Sequence, residues 1–175
     1  MIKSWIDVWE GRTSFRLFSF FLAAVLLLLI LFVPARQSLT VRDTVTGQLL
    51  WHRQVHEESP FGIRWIHSIH RTPVEEYYRV RSGEVVLVEL TFKEYGIGME
   101  SGLAPGERLV NQNGVFHLQN MNRTFPALNI RIGQVRAKHT LLFDGAEIPL
   151  STLNRPGSAV TIQTEKLSLW DRIGG

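Results

Sequence analysis

From Leu17 to Val33 the chain reads LFSFFLAAVLLLLILFV, with Ser19 as its sole polar residue, bounded by Arg16 before and Pro34, Ala35 and Arg36 after. At about 1.5 Å per residue such a run sits near the short end of what crosses a hydrocarbon core of about 30 Å, and flanking residues can snorkel to make up the rest. As a helix it would have no polar face to present to water, which sets it apart from an ordinary surface helix. Lys3, Arg12 and Arg16 precede it, so the excess of positive charge predicts an N-terminus held in the cytoplasm. Arg36 and Arg42 follow closely and make the asymmetry modest. A cleavable signal peptide is the competing expectation, since Val33-Pro34-Ala35 offers small residues; the apolar run exceeds an h-region of about 7 to 15 residues, and proline beside the cut is unfavourable. The expected organisation is a cytoplasmic leader over residues 1–16, a transmembrane anchor over 17–35, and an extracytoplasmic β-domain over 36–175. The chain would then lie in the bacterial cytoplasmic (inner) membrane as a single-pass protein. Ile2, Trp5, Ile6 and Trp9 at helical spacing suit a leader helix lying at the interface.

A formal charge of +3 could suggest a nucleic-acid binder, so where the charges sit matters. Lys3, Arg12, Arg16 and Arg36 against Asp7 and Glu10 leave +2 in the first thirty-six residues and +1 in the rest. The part expected to fold is nearly neutral and has no basic block, which argues against nucleic acid. The chain has no cysteine, which removes disulfides, thiol chemistry and cysteine metal sites together.

Beyond Ser38 the periodicity is that of strands. SLTVRD and QLLWHRQV flank the turn TVTG, and FGIRWIHSI puts Phe61, Ile63, Trp65, His67 and Ile69 on one face. After Pro73, VEEYYRV alternates Val74, Glu76, Tyr78 and Val80 against Glu75, Tyr77 and Arg79. Ser82-Gly83 turns the chain into EVVLVELTFKEY, Asn113-Gly114 centres a hairpin, and Asp144-Gly145 marks another turn. Roughly nine short strands and no long amphipathic helix predict an all-β fold, an antiparallel β-sandwich or small barrel, preceded by the one transmembrane helix. ALNIRIGQVRAKH is the least secure strand.

The densest polar cluster is WIHSIHRTPVEEYY. If the strands on either side of Pro73 pair, His67 or His70 comes near Glu75 or Glu76, and a histidine oriented by a carboxylate can serve as a base. A Ser68–His67 couple is disfavoured, because adjacent strand residues point to opposite faces. The plainer reading has Ser68 and Thr72 bonding to the turn backbone while Glu75 or Glu76 pairs with Arg71 or Arg64. His67 and His70, three apart on an extended strand, are poorly spaced for a metal, and His117 and His139 stand alone. YGIGMESG lacks the Lys-Ser/Thr of a phosphate loop and the strand-loop-helix context of a dinucleotide site. No catalytic, metal or cofactor set is expected, and the chain is not read as an enzyme.

WIHSIHRTPVEEYYRV followed by TFKEYGIGMESG resembles the DUF1850 family, small bacterial and archaeal proteins of uncharacterised function. The matching residues are His67, Ser68, Thr72, Pro73, Glu76, Phe92, Gly96 and Gly98, and the likeness extends roughly from Thr40 to Thr164. His70 and Arg71 stand where the family pattern varies. Members often occur beside genes for the TAXI type of TRAP transporters, so the resemblance implies an accessory or regulatory subunit. Its partners would be the permease or its solute-binding protein, with His67, Ser68, Thr72, Glu76, Gly96 and Gly98 as contacts. The alternative is an extracytoplasmic domain binding a small organic anion through Arg64, Arg79, His67 or Tyr78. A hydrolase built on His67, Ser68 and a glutamate comes last.

Overall fold

The computed structural model describes residues 3–34, 36–94 and 102–174, with side chains from residue 16 onward. The chain divides into two units, residues 1–36 with 166–175, and residues 37–165.

The first unit is helical. Helix α1 spans Lys3–Phe32, and a short helix, α3, spans Leu169–Gly174. A reciprocal cap starts α3: the Ser168 amide donates to Asp171 Oδ2 at 2.9 Å, and the Asp171 amide donates back to Ser168 Oγ at 3.1 Å. The rings of Phe32 and Trp170 lie 5.5 Å apart.

The expected transmembrane helix is overturned here. Among the described residues no helix is long and apolar enough to cross a membrane. The helix ends at Phe32, so its apolar part, Leu17 to Phe32, extends about 24 Å at about 1.5 Å per residue, short of a core of about 30 Å. The transmembrane reading of this helix, as an anchor over 17–35, and the single-pass inner-membrane location deduced from it, are overturned.

The second unit is mostly antiparallel β-sheet in two open sheets. The smaller contains β1 (Arg36–Asp43), β2 (Leu49–Gln54), β9 (Ala127–Arg131) and β12 (Ala159–Leu167), in the order β2-β1-β12-β9. In the larger, β3 (Pro60–Ile66), β4 (Pro73–Arg81) and β5 (Glu84–Phe92) form a central meander. One side carries β6 (Arg108–Gln112), β7 (Val115–Gln119) and β8 (Arg123–Phe125). The other carries β10 (Thr140–Phe143) and β11 (Ala146–Pro149), followed by the one-turn helix α2 (Leu150–Leu153). The order is β11-β10-β3-β4-β5-β7-β6, with β8 paired to β5. Neither sheet closes on itself, so the small-barrel expectation is also corrected.

Three hairpins have the geometry their sequences call for. Ser82-Gly83, Asn113-Gly114 and Asp144-Gly145 all have φ between +49° and +84°, the paired left-handed conformation whose twist matches that of the flanking strands. Each joins strands in direct register: Arg81 opposite Glu84, Gln112 opposite Val115, and Phe143 opposite Ala146.

The two sheets share one core. Leu39, Val41, Val160 and Ile162 from the smaller sheet belong to the same buried cluster as Phe61, Ile63, Tyr78, Leu118 and Leu141 from the larger. Burying each such aliphatic side chain stabilises the fold by about 1.5–3 kcal/mol.

A bulge decides which residues of β5 reach that core. The β4–β5 register slips between Tyr77 and Tyr78, which pair with Glu89 and Leu87, leaving Val88 as the extra residue. Strict alternation from Val85 and Leu87 would drive Glu89 and Thr91 inward. With the bulge, the residues of β5 that join the core cluster are instead Val85, Leu87, Leu90 and Phe92, and the Val88 carbonyl accepts from the Met121 amide at 3.1 Å.

Candidate functional site

The segment His67–Thr72 does not continue the strand. β3 ends at Ile66; the Arg71 amide then donates to the His67 carbonyl and the His67 amide to the Thr72 carbonyl, both at 2.9 Å. Arg71 adopts φ 59° to close this turn. The alternation expected through Ile69 therefore breaks: His67 is buried and Ile69 is exposed. His67 Nδ1 accepts from the amides of Ile69 and His70 at 3.3 and 3.2 Å, so the ring serves the turn. Its neighbours are the rings of Trp65 and His70, at 5.7 and 4.8 Å. Ser68 is exposed, and among the described residues no hydrogen bond joins it to a histidine. Thr72 contributes its backbone to the turn rather than the expected side chain. Gly96 and Gly98 lie outside the described residues.

The carboxylate–histidine pair sought beside His67 occurs elsewhere. Glu89 Oε1 and His117 Nδ1 are 2.9 Å apart, and both side chains are partly exposed. Since Thr91 pairs with His117 across β5 and β7, Glu89 is its diagonal neighbour, a relation invisible until the register is known.

β4 carries the most informative residues, because Glu75-Glu76-Tyr77-Tyr78 places one glutamate–tyrosine pair on each face. On the outer face Arg64 Nε donates to Glu75 Oε1 at 2.7 Å, and its terminal nitrogens donate to Glu147 at 2.9 Å. Tyr77 donates to Glu75 Oε2. Partial burial, and then the bond to Glu75, push the Tyr77 hydroxyl up to about 12.

On the inner face the Tyr78 hydroxyl donates to Glu76 Oε2 at 2.8 Å, and the Tyr78 ring stacks on Phe61 at 5.1 Å. The Trp65 side chain is the second polar neighbour of Glu76. Both neighbours favour the ionised carboxylate, yet burial outweighs them and holds Glu76 above the usual carboxylate range. Burial, and then the neighbouring Glu76, raise Tyr78 as well. Neither of these neighbours is a cation.

Glu76 and Tyr78 open into a cavity of about 370 Å³ lined from both sheets. Its apolar wall includes Val74, Leu87, Leu90, Met121, Phe125 and Leu128. Leu87 and Leu90 flank the β5 bulge, so the slip in register shapes this wall. Arg123 also lines the cavity, but its Nε and Nη2 bond to Glu107 at 2.8 and 2.9 Å. Those bonds, Arg123 first, hold the Glu107 carboxyl below its usual range. A wider concavity of about 500 Å³ lies over Gly62, with Tyr77, Glu89 and Glu147 in its wall. There Glu89 and Glu147 are already paired with His117 and Arg64. The smaller space combines an apolar wall with a few convergent polar groups, the usual form of a small-molecule site.

The arginines expected to receive an anion are committed. Arg64 is shared by Glu75 and Glu147, and Arg79 donates to the Glu58 carbonyl at 2.9 Å with Glu58 Oε2 3.6 Å away. Among the expected contacts that lie within the described residues, only Glu76 and Tyr78 reach the inner cavity. Sequence reasoning missed Trp65, Leu87, Met121, Arg123 and Leu128, which arrive from separate strands and loops. No group of three or more potential metal ligands occurs among the described residues.

The model of the DUF1850 family, a domain of unknown function, matches residues 61–150, just over half of the chain, and the chain belongs to that family. Comparisons with curated proteins and with solved structures return no match. The expected role as a membrane-anchored accessory subunit of a TAXI-type TRAP transporter does not stand. It required an anchor, which the described helices do not provide, and nothing in the comparisons points to a transporter.

Proposed function

We propose that this DUF1850 domain is a small-molecule-binding module without catalytic activity, and that its ligand occupies the cavity between the two sheets. The observation that carries this reading is Glu76, a largely buried carboxyl bonded by Tyr78, with Trp65 beside it, at the wall of a mostly apolar space of about 370 Å³. A buried carboxyl raises the free energy of the empty protein, and a bound partner that completes its hydrogen bonds would lower it. The apolar wall would supply affinity and the polar group orientation. An organic anion is the less suitable guest, since the candidate arginines already hold carboxylates.

The test follows methyl resonances of Leu87, Leu90, Met121 and Leu128 while benzyl alcohol, benzylamine and benzoate are each titrated into the full chain. Saturable shifts confined to these methyls, abolished by the cavity-filling Leu128→Trp, are expected. Absence of a saturable shift with all three probes would overturn the proposal.

A further inference from the structure

We infer that the cavity selects a small organic cation, a protonated amine joined to an apolar body, with Glu76 as its counter-ion. This rests on the cavity being a binding site, and deepens that reading by naming the ligand class.

The argument is one of charge and hydrogen-bonding capacity. A carboxylate offers about four lone-pair positions. Tyr78 fills one on Oε2, and even with the Trp65 side chain as a second polar neighbour there is room for about two further donors. Both are neutral groups, which place the carboxylate without neutralising it. The cation in the cavity wall, the Arg123 guanidinium, is committed elsewhere, gripping Glu107 through two nitrogens. Among the described residues at the cavity, Glu76 is the carboxylate left without a cationic partner. Buried charges in proteins are normally paired, because an unpaired one is costly in a poorly polarisable surrounding.

An ammonium group has three donors and no acceptor, which matches the unfilled acceptor positions of Glu76. The guest's carbon skeleton would lie against Leu87, Leu90, Phe125 and Leu128. A neutral alcohol can donate one hydrogen bond but brings no charge. A carboxylate guest would meet Glu76 as a like charge.

Three probes of the same shape separate these cases: benzylamine, benzyl alcohol and benzoate, titrated into the full chain near neutral pH with the cavity methyls as readout. Charge-assisted hydrogen bonds are roughly twice as strong as neutral ones, so benzylamine is expected to bind about tenfold more tightly than benzyl alcohol, a difference of about 1.4 kcal/mol. Benzoate is expected to be weakest. In Glu76→Gln, which keeps the side chain's shape, the amine's advantage should vanish while the alcohol still binds. If the alcohol binds and the amine binds no better, or benzoate binds best, the cation inference fails and the binding-site reading survives. If the amine's preference persists in Glu76→Gln, Glu76 is not the counter-ion and the inference fails as well. If no probe binds, both fall together. The comparison among probes in the unmodified protein stands independently of the variant.

Discussion

Glu75 with Tyr77 and Glu76 with Tyr78 are the same two residue types at the same spacing, one step apart on one strand, yet they occupy different chemical surroundings. In each pair the tyrosine hydroxyl donates to the glutamate two residues before it. The outer pair faces solvent and is held by Arg64. The inner pair faces the core and has only neutral donors. Two-residue periodicity sends neighbours to opposite faces, so one residue of displacement separates a surface ion-pair chain from a buried carboxyl at a cavity. Residue type alone does not make a site; the side of the sheet does.

The sharpest way to break this comparison is to truncate the rings. Tyr78→Ala should cost about 3–5 kcal/mol, the usual loss for a buried aromatic, whereas Tyr77→Ala should cost no more than about 1 kcal/mol. Chemical denaturation of the two variants checks this, and equal losses would contradict the assignment of inner and outer faces. Removing only the hydroxyls is milder. Tyr78→Phe should lose about 1.5–3 kcal/mol near neutral pH, as for a hydrogen bond to a charged group, while Tyr77→Phe should stay within about 0.5 kcal/mol.

A smaller effect of opposite sign is expected from Glu76→Gln. The folded protein raises the Glu76 pKa, so it holds that proton more tightly than the unfolded chain does. The resulting stabilisation is complete below the ordinary carboxylate pKa and is lost as pH rises through the raised folded value. Glutamine cannot ionise, so the variant should melt above the parent near pH 7. The gap should close as the solution is acidified below about pH 4. A constant difference in Tm across that range would contradict the burial of Glu76.

Arg64→Ala should have the smallest effect, although it releases two carboxylates at once. The group is exposed enough for water to replace its bonds, and the loss should shrink further in about 1 M salt. A large, salt-insensitive loss would place the outer network in a drier setting than its exposure indicates.

Parts of this arrangement are legible residue by residue. Asn113-Gly114 and Asp144-Gly145 announce their turns because asparagine, aspartate and glycine tolerate left-handed backbone at low cost, and Gly83 marks the turn it shares with Ser82 for the same reason. Alternation in VEEYYRV separates Glu76 from Glu75 correctly. FGIRWIHSI misleads beyond Ile66, since hydrophobic spacing carries no notice of the hydrogen-bonded turn that closes between His67 and Thr72. EVVLVELTF misleads in the same way, because its phase shifts at the Val88 bulge and exchanges Glu89 for Leu90.

By itself the sequence determined what local chemistry can encode: an apolar run at the N-terminal end, a set of strands, the turns between them, and the opposite facing of neighbours on β4. Tertiary structure alone decided which strands lie together. It brought Glu89 to His117 and Arg123 to Glu107, and it gathered Trp65, Leu87, Met121 and Leu128 around Glu76. The physical reason is that backbone preference and side-chain alternation act over a few residues, whereas register, bulge and sheet-on-sheet packing are fixed by contacts between segments distant along the chain.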